Sequence, residues 1–173
     1  NYVYFANFYW RIIRINGDGS IRMIYDGTTA HENGEASADR KIGDSAFNDK
    51  DDDNAYVGYM YGTAGSSSYE ETHANINDSA IKKYMDNWYE ANLKGTSYEH
   101  YLADSIFCND RSITRYSDKS DYSNLGYGKE KTTYTHHGGG QNKLTCLSKN
   151  DSFNASGTNN GNGKLLYKIG LLT

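Results

Sequence analysis

The first 25 residues have the pattern of two β-strands joined by a tight turn. Residues 20–25 have a period of two, which is typical of a strand with one buried face. Residues 8–15 are apolar on both faces, which predicts a central strand covered on both sides. Asn16-Gly17-Asp18-Gly19 tolerates positive φ and predicts a tight turn between them. Ala6-Asn7 predicts a second, smaller break, since Asn also visits the left-handed region.

Residues 78–94 carry the clearest helical pattern. Asp78 or Ser79 is suited to cap its N-terminus, and Gly95 fits just beyond its end. The apolar positions follow the spacing of one helix face. They are Ile81, Tyr84, Met85, Trp88 and Tyr89. We therefore predict one main helix whose Tyr84 and Trp88 side chains lie in the core.

The remaining apolar runs are short and are separated by long polar stretches. We predict strands over 55–61, 106–108 and 165–172 and a short helical turn over 97–102. Residues 144–147 are a candidate for a further short strand. Residues 26–54, 111–143 and 149–163 predict irregular loops. A β-rich order with one good helix between strands indicates an α+β fold with a mixed or antiparallel sheet opened by the N-terminal hairpin.

The composition narrows the class of protein and its partners. Of 173 residues, 36% are hydrophobic and 17 are Tyr, so tyrosine supplies much of the core and needs partners for its hydroxyl groups. The net charge of −4 comes without a basic stripe, which argues against nucleic acid as a partner. No apolar run approaches the roughly 20 residues that cross a bilayer, so we expect no membrane contact by this segment. Proline is absent, which an AT-rich coding sequence or selection for a tyrosine-rich surface would each explain.

Cys108 and Cys146 are the two cysteines of the chain. An even count in a Tyr- and Asn-rich domain favours a disulfide, which would close the irregular stretch between them. Two free buried thiols are the alternative that the sequence leaves open. No histidine is tied to either cysteine by spacing, so the sequence does not favour a catalytic thiol.

Two polar segments are candidates for chemistry. Asp49, Asp51 and Asp53 alternate in a loop, a spacing that can gather oxygen ligands for Ca²⁺, although an acidic loop in solvent has the same pattern. His137-Gly138-Gly139-Gly140 matches the oxyanion segment of some esterases, but the Gly-x-Ser-x-Gly nucleophile motif is missing. The sequence thus predicts no catalytic site and, at most, a calcium site.

The tyrosines of the predicted strand over 55–61 are candidates for a ligand-binding surface. Tyr56, Tyr59 and Tyr61 lie within six residues, and tyrosine is a common recognition residue because it combines rigid contact area with a polar tip. A role in the core is the alternative for the same three residues.

Three blocks of the chain together resemble a known type of domain. They are Phe8–Tyr25, Asn54–Gly62 and Ser105–Ser112. They resemble an extracellular domain of unassigned function found in bacterial cell-surface and prepilin-type proteins, in a wider group similar to the C-type-lectin-like fold of formylglycine-generating-enzyme relatives. The resemblance implies a single domain over 1–173 that is the N-terminal part of a larger lectin-like domain, because such relatives continue past the position of Thr173.

The resemblance also implies a role. It favours a non-enzymatic extracellular module for adhesion or ligand display, on a bacterial envelope or pilin-like protein, whose partner is a host or cell-surface glycan or protein. A structural spacer without a ligand and an enzyme of the formylglycine-generating type are the alternatives. The proline-containing sugar-binding signatures of lectins are absent, and the copper-ligating cysteine pair of formylglycine generators is not matched by the spacing of Cys108 and Cys146.

Overall fold

The computed structural model describes residues 1–108, Cys146, 152–158 and 163–171. The described residues fall into two units. One comprises Asn1–Ser45 and Asn87–Ala103, and the other comprises Ala46–Asp86 with the described part of Asp104–Leu171. Small antiparallel sheets and short helices make up the regular structure, in agreement with the predicted α+β class. The predicted loop over 111–143, the strand at 144–147 apart from Cys146, and the histidine–glycine motif lie outside the described residues.

A three-stranded antiparallel sheet dominates the first unit. Its strands are β1 (Tyr2–Phe5), β2 (Phe8–Ile15) and β3 (Ile21–Gly27), in the order β1-β2-β3. The position of β2 between the other two confirms that it is the central strand. Ala6 and Asn7 have φ values of 53° and 66°, which confirms a break there. The second turn closes with a hydrogen bond of 2.8 Å from the Asn16 amide to the Ser20 carbonyl.

A register shift in β2 changes which side chains share a face. Ile12 pairs with Met23 and Arg14 pairs with Arg22, so Ile13 is an extra residue between two ladder positions. This β-bulge places Arg14 on the face of Arg11, whereas strict alternation would place it with Trp10. The prediction that β2 is covered on both sides along its length is wrong at this end, because Arg14 is exposed and Ile15 is 71% exposed.

Aromatic side chains cover the face of this sheet that lies opposite Arg11. Trp88 lies 5.3 Å from Phe8, 6.1 Å from Trp10 and 5.9 Å from Tyr25, measured between ring centroids. The indole nitrogen of Trp10 donates a hydrogen bond of 2.8 Å to the Phe5 carbonyl, so the ring is buried without an unsatisfied donor. The packing confirms that Trp88 is a core residue.

Trp88 belongs to helix α2, which spans Ala80–Asn92. The hydroxyl of Ser79 accepts a hydrogen bond of 3.1 Å from the Lys82 amide and so caps the N-terminus as predicted. Gly95 has a φ of 73° just beyond the end, and Ser97–Tyr101 forms the predicted short turn as a 3-10 helix. The core position predicted for Tyr84 is wrong, because this side chain is 37% exposed.

The second unit contains two short strand pairs. Strand β4 (Met60–Tyr61) pairs with β5 (Asn77–Asp78), and β6 (Phe107–Cys108) pairs with β7 (Ser152–Phe153). The short helix α1 (Tyr69–Thr72) lies between β4 and β5 along the chain. The hydrophobic core of the second unit contains Tyr59, Met60, Phe153 and Leu165.

Three predicted elements of this unit need correction. The strand over 55–61 shrinks to Met60–Tyr61, because Asn54–Tyr56 forms a 3-10 turn instead. Strand β7 lies within the segment predicted to be a loop over 149–163. Within the described residues 163–171 there is no strand, although Leu165 is buried and its amide donates to the Asn154 carbonyl.

Candidate binding surfaces

Cys108 and Cys146 are joined by a disulfide bond. Their Cα atoms are 5.1 Å apart, and 38 positions separate them in sequence. The bond confirms the predicted pairing and excludes the alternative of two free thiols. It also fixes Cys146 next to strand β6, where its sulfur lies 3.6 Å from the Phe107 carbonyl oxygen.

The structure separates the three predicted ligand-binding tyrosines. Tyr59 is 2% exposed, and its ring stacks on Phe153 at 6.4 Å. The rings of Tyr56 and Tyr61 remain partly exposed and meet edge to face at 5.2 Å, with the Lys50 ammonium 6.0 Å from the Tyr56 centroid. Tyr59 is therefore a core residue, and a ligand surface in this region is reduced to the Tyr56–Tyr61 pair.

The predicted calcium-binding aspartates have different environments. Asp49 and Asp51 are exposed. Asp53 accepts hydrogen bonds from the Ala55 amide at 2.7 Å and the Gly65 amide at 2.8 Å, so it caps the 3-10 turn. No group of three His, Cys, Asp or Glu side chains within the described residues is arranged to hold a metal ion. Calcium binding at this loop stays a prediction of the sequence.

A buried ionic cluster in the second unit was missed by the sequence reasoning. The Lys82 ammonium lies 2.7 Å from Asp86 and 3.1 Å from Asp78, and the lysine residue is 1% exposed. Burial, followed by the charges of Asp86 and Asp78, raises the pKa of the Tyr59 phenol. The spacing of four residues on either side of Lys82 is the signal that could have revealed the cluster.

A second tyrosine surface lies on the sheet of the first unit, on the face opposite Trp88. The ring of Tyr9 lies 5.8 Å from Tyr2 and 4.9 Å from Tyr4, and Tyr4 is 58% exposed. We call Tyr2, Tyr4 and Tyr9 the tyrosine face. The alternation of Tyr2 and Tyr4 is visible in the sequence, but pairing of Tyr4 with Tyr9 across the strands becomes evident only from the register.

The segment over 28–40 is held beside this face by a buried carboxylate. Asp26 forms ion pairs with Arg11 at 3.0 Å and Arg40 at 2.8 Å. Burial alone would raise the pKa of Asp26, but the ion pairs with both guanidinium groups and the hydrogen bond from Arg40 outweigh it and hold the pKa below its usual value. Arg40 also donates to the Gly34 and Glu35 carbonyls, which fixes the segment to the sheet.

Asp39 organises the same segment from its other end. Its carboxylate accepts hydrogen bonds from Ser37, from the Thr29 amide and hydroxyl, and from the Thr28 amide. The Ser37 hydroxyl is the largest of the influences that lower the pKa of Asp39. His31 is buried with one ring nitrogen 2.9 Å from Asp39 and the other 3.3 Å from Glu35. The tyrosine face is thus bordered by a polar segment that several hydrogen bonds and ion pairs hold in place.

Comparison with family models, with curated proteins and with solved structures finds no match for this chain. The helices within the described residues are all too short or too polar to span a lipid bilayer.

Proposed function

We propose that the chain is a non-enzymatic extracellular module for adhesion or ligand display on a bacterial envelope or pilin-like protein. The observation that supports this most directly is the disulfide between Cys108 and Cys146. Structural disulfides form and persist in oxidising compartments and are rare in the cytosol, so the bond favours a protein that acts outside it.

The tyrosine face is the surface that best suits ligand binding. The ring of Tyr4 is exposed to solvent and packs against the ring of Tyr9. The hydroxyl of Tyr2 donates a hydrogen bond of 3.3 Å to Glu32 in the bordering segment. Tyrosine supplies rigid amphipathic contact area at a low entropic cost. A position on strands with an ordered border also reduces the entropy lost on binding.

A panel of immobilised glycans and extracellular-matrix proteins would test this function. We expect a specific partner to be retained by the wild type and lost by Tyr4→Ala, because that substitution removes the most exposed ring of the face. Tyr101→Ala is the matched control, since Tyr101 is 74% exposed in the same unit but outside the tyrosine face. If Tyr56→Ala abolished retention of the partner instead, the binding site would be the Tyr56–Tyr61 pair. No retention of any ligand would favour a structural spacer.

A further inference from the structure

Strand β1 forms one edge of the sheet in the first unit, and within the described residues no strand pairs with its outer side. The Ile12 amide donates a hydrogen bond of 3.0 Å to the Asn1 carbonyl, so the odd-numbered positions of this segment form the hydrogen-bonded pairs with β2. Such pairs alternate with non-hydrogen-bonded pairs along an antiparallel ladder. The backbone amide and carbonyl groups of Tyr2 and Tyr4 therefore point away from β2, toward the outer edge of the sheet.

The edge of β1 lacks the chemical features that usually prevent an edge strand from pairing. Charged side chains, proline and β-bulges protect such strands in natural sheets. Strand β1 has the uncharged sequence Tyr-Val-Tyr-Phe, and its register with β2 is regular along its length. The strand at the other edge of the sheet, β3, contains Arg22 and Asp26. The edge of β1 is thus the better suited of the two to pair with a further strand.

We propose that two copies of this chain pair through β1 in antiparallel orientation, so that two three-stranded sheets become one continuous sheet. A twofold axis at Val3 places Tyr2 of each copy opposite Tyr4 of the other. Each of these tyrosine pairs then exchanges two backbone hydrogen bonds, because both residues direct their amide and carbonyl groups outward. Each copy has one β1 edge, and the twofold pairing uses it in both copies, so the assembly closes at two copies.

The side chains of β1 favour a second copy over an unrelated peptide as the occupant of this edge. Aromatic pairs directly opposite each other stabilise antiparallel strands, and an uncharged strand meets its own copy without repulsion. The ring of Tyr4, which is 58% exposed, would pack against Tyr2 of the second copy and so join the two tyrosine faces. On the opposite face of the sheet, the Val3 side chains of the two copies would meet at the axis. The pairing needs no ligand, so it goes beyond the proposed function and does not depend on it.

Sedimentation velocity of the full chain over a range of concentrations tests the pairing. We expect one copy at low concentration and two at high concentration, because an edge of four residues gives a short interface. Tyr4→Pro removes one outward-facing amide from each copy, whereas Tyr4→Ala keeps it and is the matched control. Proline is tolerated on an edge strand at a position whose amide faces outward. Relative to Tyr4→Ala, Tyr4→Pro should weaken dimerisation by roughly tenfold or more, since two hydrogen bonds are lost per dimer.

Disulfide cross-linking gives a second measurement that does not require proline to be tolerated at Tyr4. Residues at the axis form a non-hydrogen-bonded pair with Cα atoms about 4.5 Å apart, which is within the range of a disulfide. Val3→Cys should therefore form a covalent dimer on mild oxidation, which non-reducing electrophoresis detects. Tyr101→Cys is the matched control, because Tyr101 is 74% exposed in the same unit but lies outside β1. It should cross-link far less.

Several results would overturn the pairing through β1. A wild type that stays a single copy at every concentration would do so, as would a mass that continues to rise beyond two copies. Equal dimerisation of Tyr4→Pro and Tyr4→Ala, or equal cross-linking of the two cysteine variants, would place the contact on another surface. Retention of a ligand by a chain that remains a single copy would refute the dimer alone and leave the proposed function standing.

Discussion

In the second unit, ion pairs join Lys82 in the first turn of α2 to Asp78 and Asp86. The ammonium group is removed from water, which costs free energy that the ion pairs with Asp78 and Asp86 must offset. Asp86 lies one helical turn after Lys82 in α2, whereas Asp78 lies four residues before it, in strand β5 just ahead of the helix. Removal of the lysine alone would leave two neighbouring carboxylates without their shared cation.

We expect Lys82→Met to lower the free energy of unfolding by about 3–5 kcal/mol, the usual cost of removing one partner from a buried ion pair. Lys94→Met is the control, because Lys94 and Glu90 form an exposed pair at the same spacing, 3.2 Å apart. That substitution should change stability by about 1 kcal/mol or less. Urea denaturation followed by circular dichroism measures both variants, and similar losses in the two would contradict a special role for the buried pair.

The elements differ in how far local sequence determines them. The N-terminal hairpin and α2 were predictable because their signals are local: Asn16–Gly19 permits one turn, and Ser79 and Gly95 delimit one helix. The strand predicted over 55–61 is mostly absent because Asp53 caps a 3-10 turn over Asn54–Tyr56, which replaces the extended conformation there. Tyr59 and Met60, which are adjacent, are both buried, so no period of two exists there.

Local sequence patterns could not predict the bulge at Ile13 or the tyrosine face. Both depend on which residues pair across strands, and sequence alone does not fix the register of a strand that is apolar on both faces. Lys82 was missed because a helix pattern built from apolar positions assigns charged residues to solvent. The contacts of Asp26 and Asp39 join residues far apart along an irregular segment, where no periodicity exists.

The N-cap of α2 gives a test at the scale of the element. Ser79→Ala should lower the free energy of unfolding by about 1 kcal/mol, because the Lys82 amide loses its acceptor. Ser79→Asp, which keeps an acceptor at the cap, should recover part of that loss. Ser67→Ala at an exposed loop position should have little effect. Thermal melts of the three variants would show the order, and an unchanged melting temperature for Ser79→Ala would contradict the assigned cap.

At the scale of the whole molecule, the cysteine pair was the long-range contact that the sequence revealed, since two cysteines allow one pairing. The α+β class followed from the order of the elements. The division of the chain into two units did not follow, because each unit combines segments that are distant in sequence. The single domain predicted over 1–173, which rests on chain length and on a resemblance, stays a prediction.

Removal of the disulfide should weaken the second unit. In the chain-entropy model, opening a loop of this length lowers the free energy of unfolding by about 3–4 kcal/mol. We expect a lower melting temperature for Cys108→Ser with Cys146→Ser, and a similar fall when reductant is added to the wild type. Intact mass before and after reduction should differ by two hydrogen atoms. A melting temperature that is insensitive to reductant, despite this mass change, would show that the bond contributes little to stability.

The disulfide has a further consequence for a module under tension. If a pulling force is applied through the two ends of the chain, the covalent link between Cys108 and Cys146 transmits it directly. The residues enclosed by the bond would then add no length, even after both units had unfolded. At about 3.4 Å per extended residue, 38 positions correspond to roughly 130 Å of contour that stretching cannot release unless the bond is reduced.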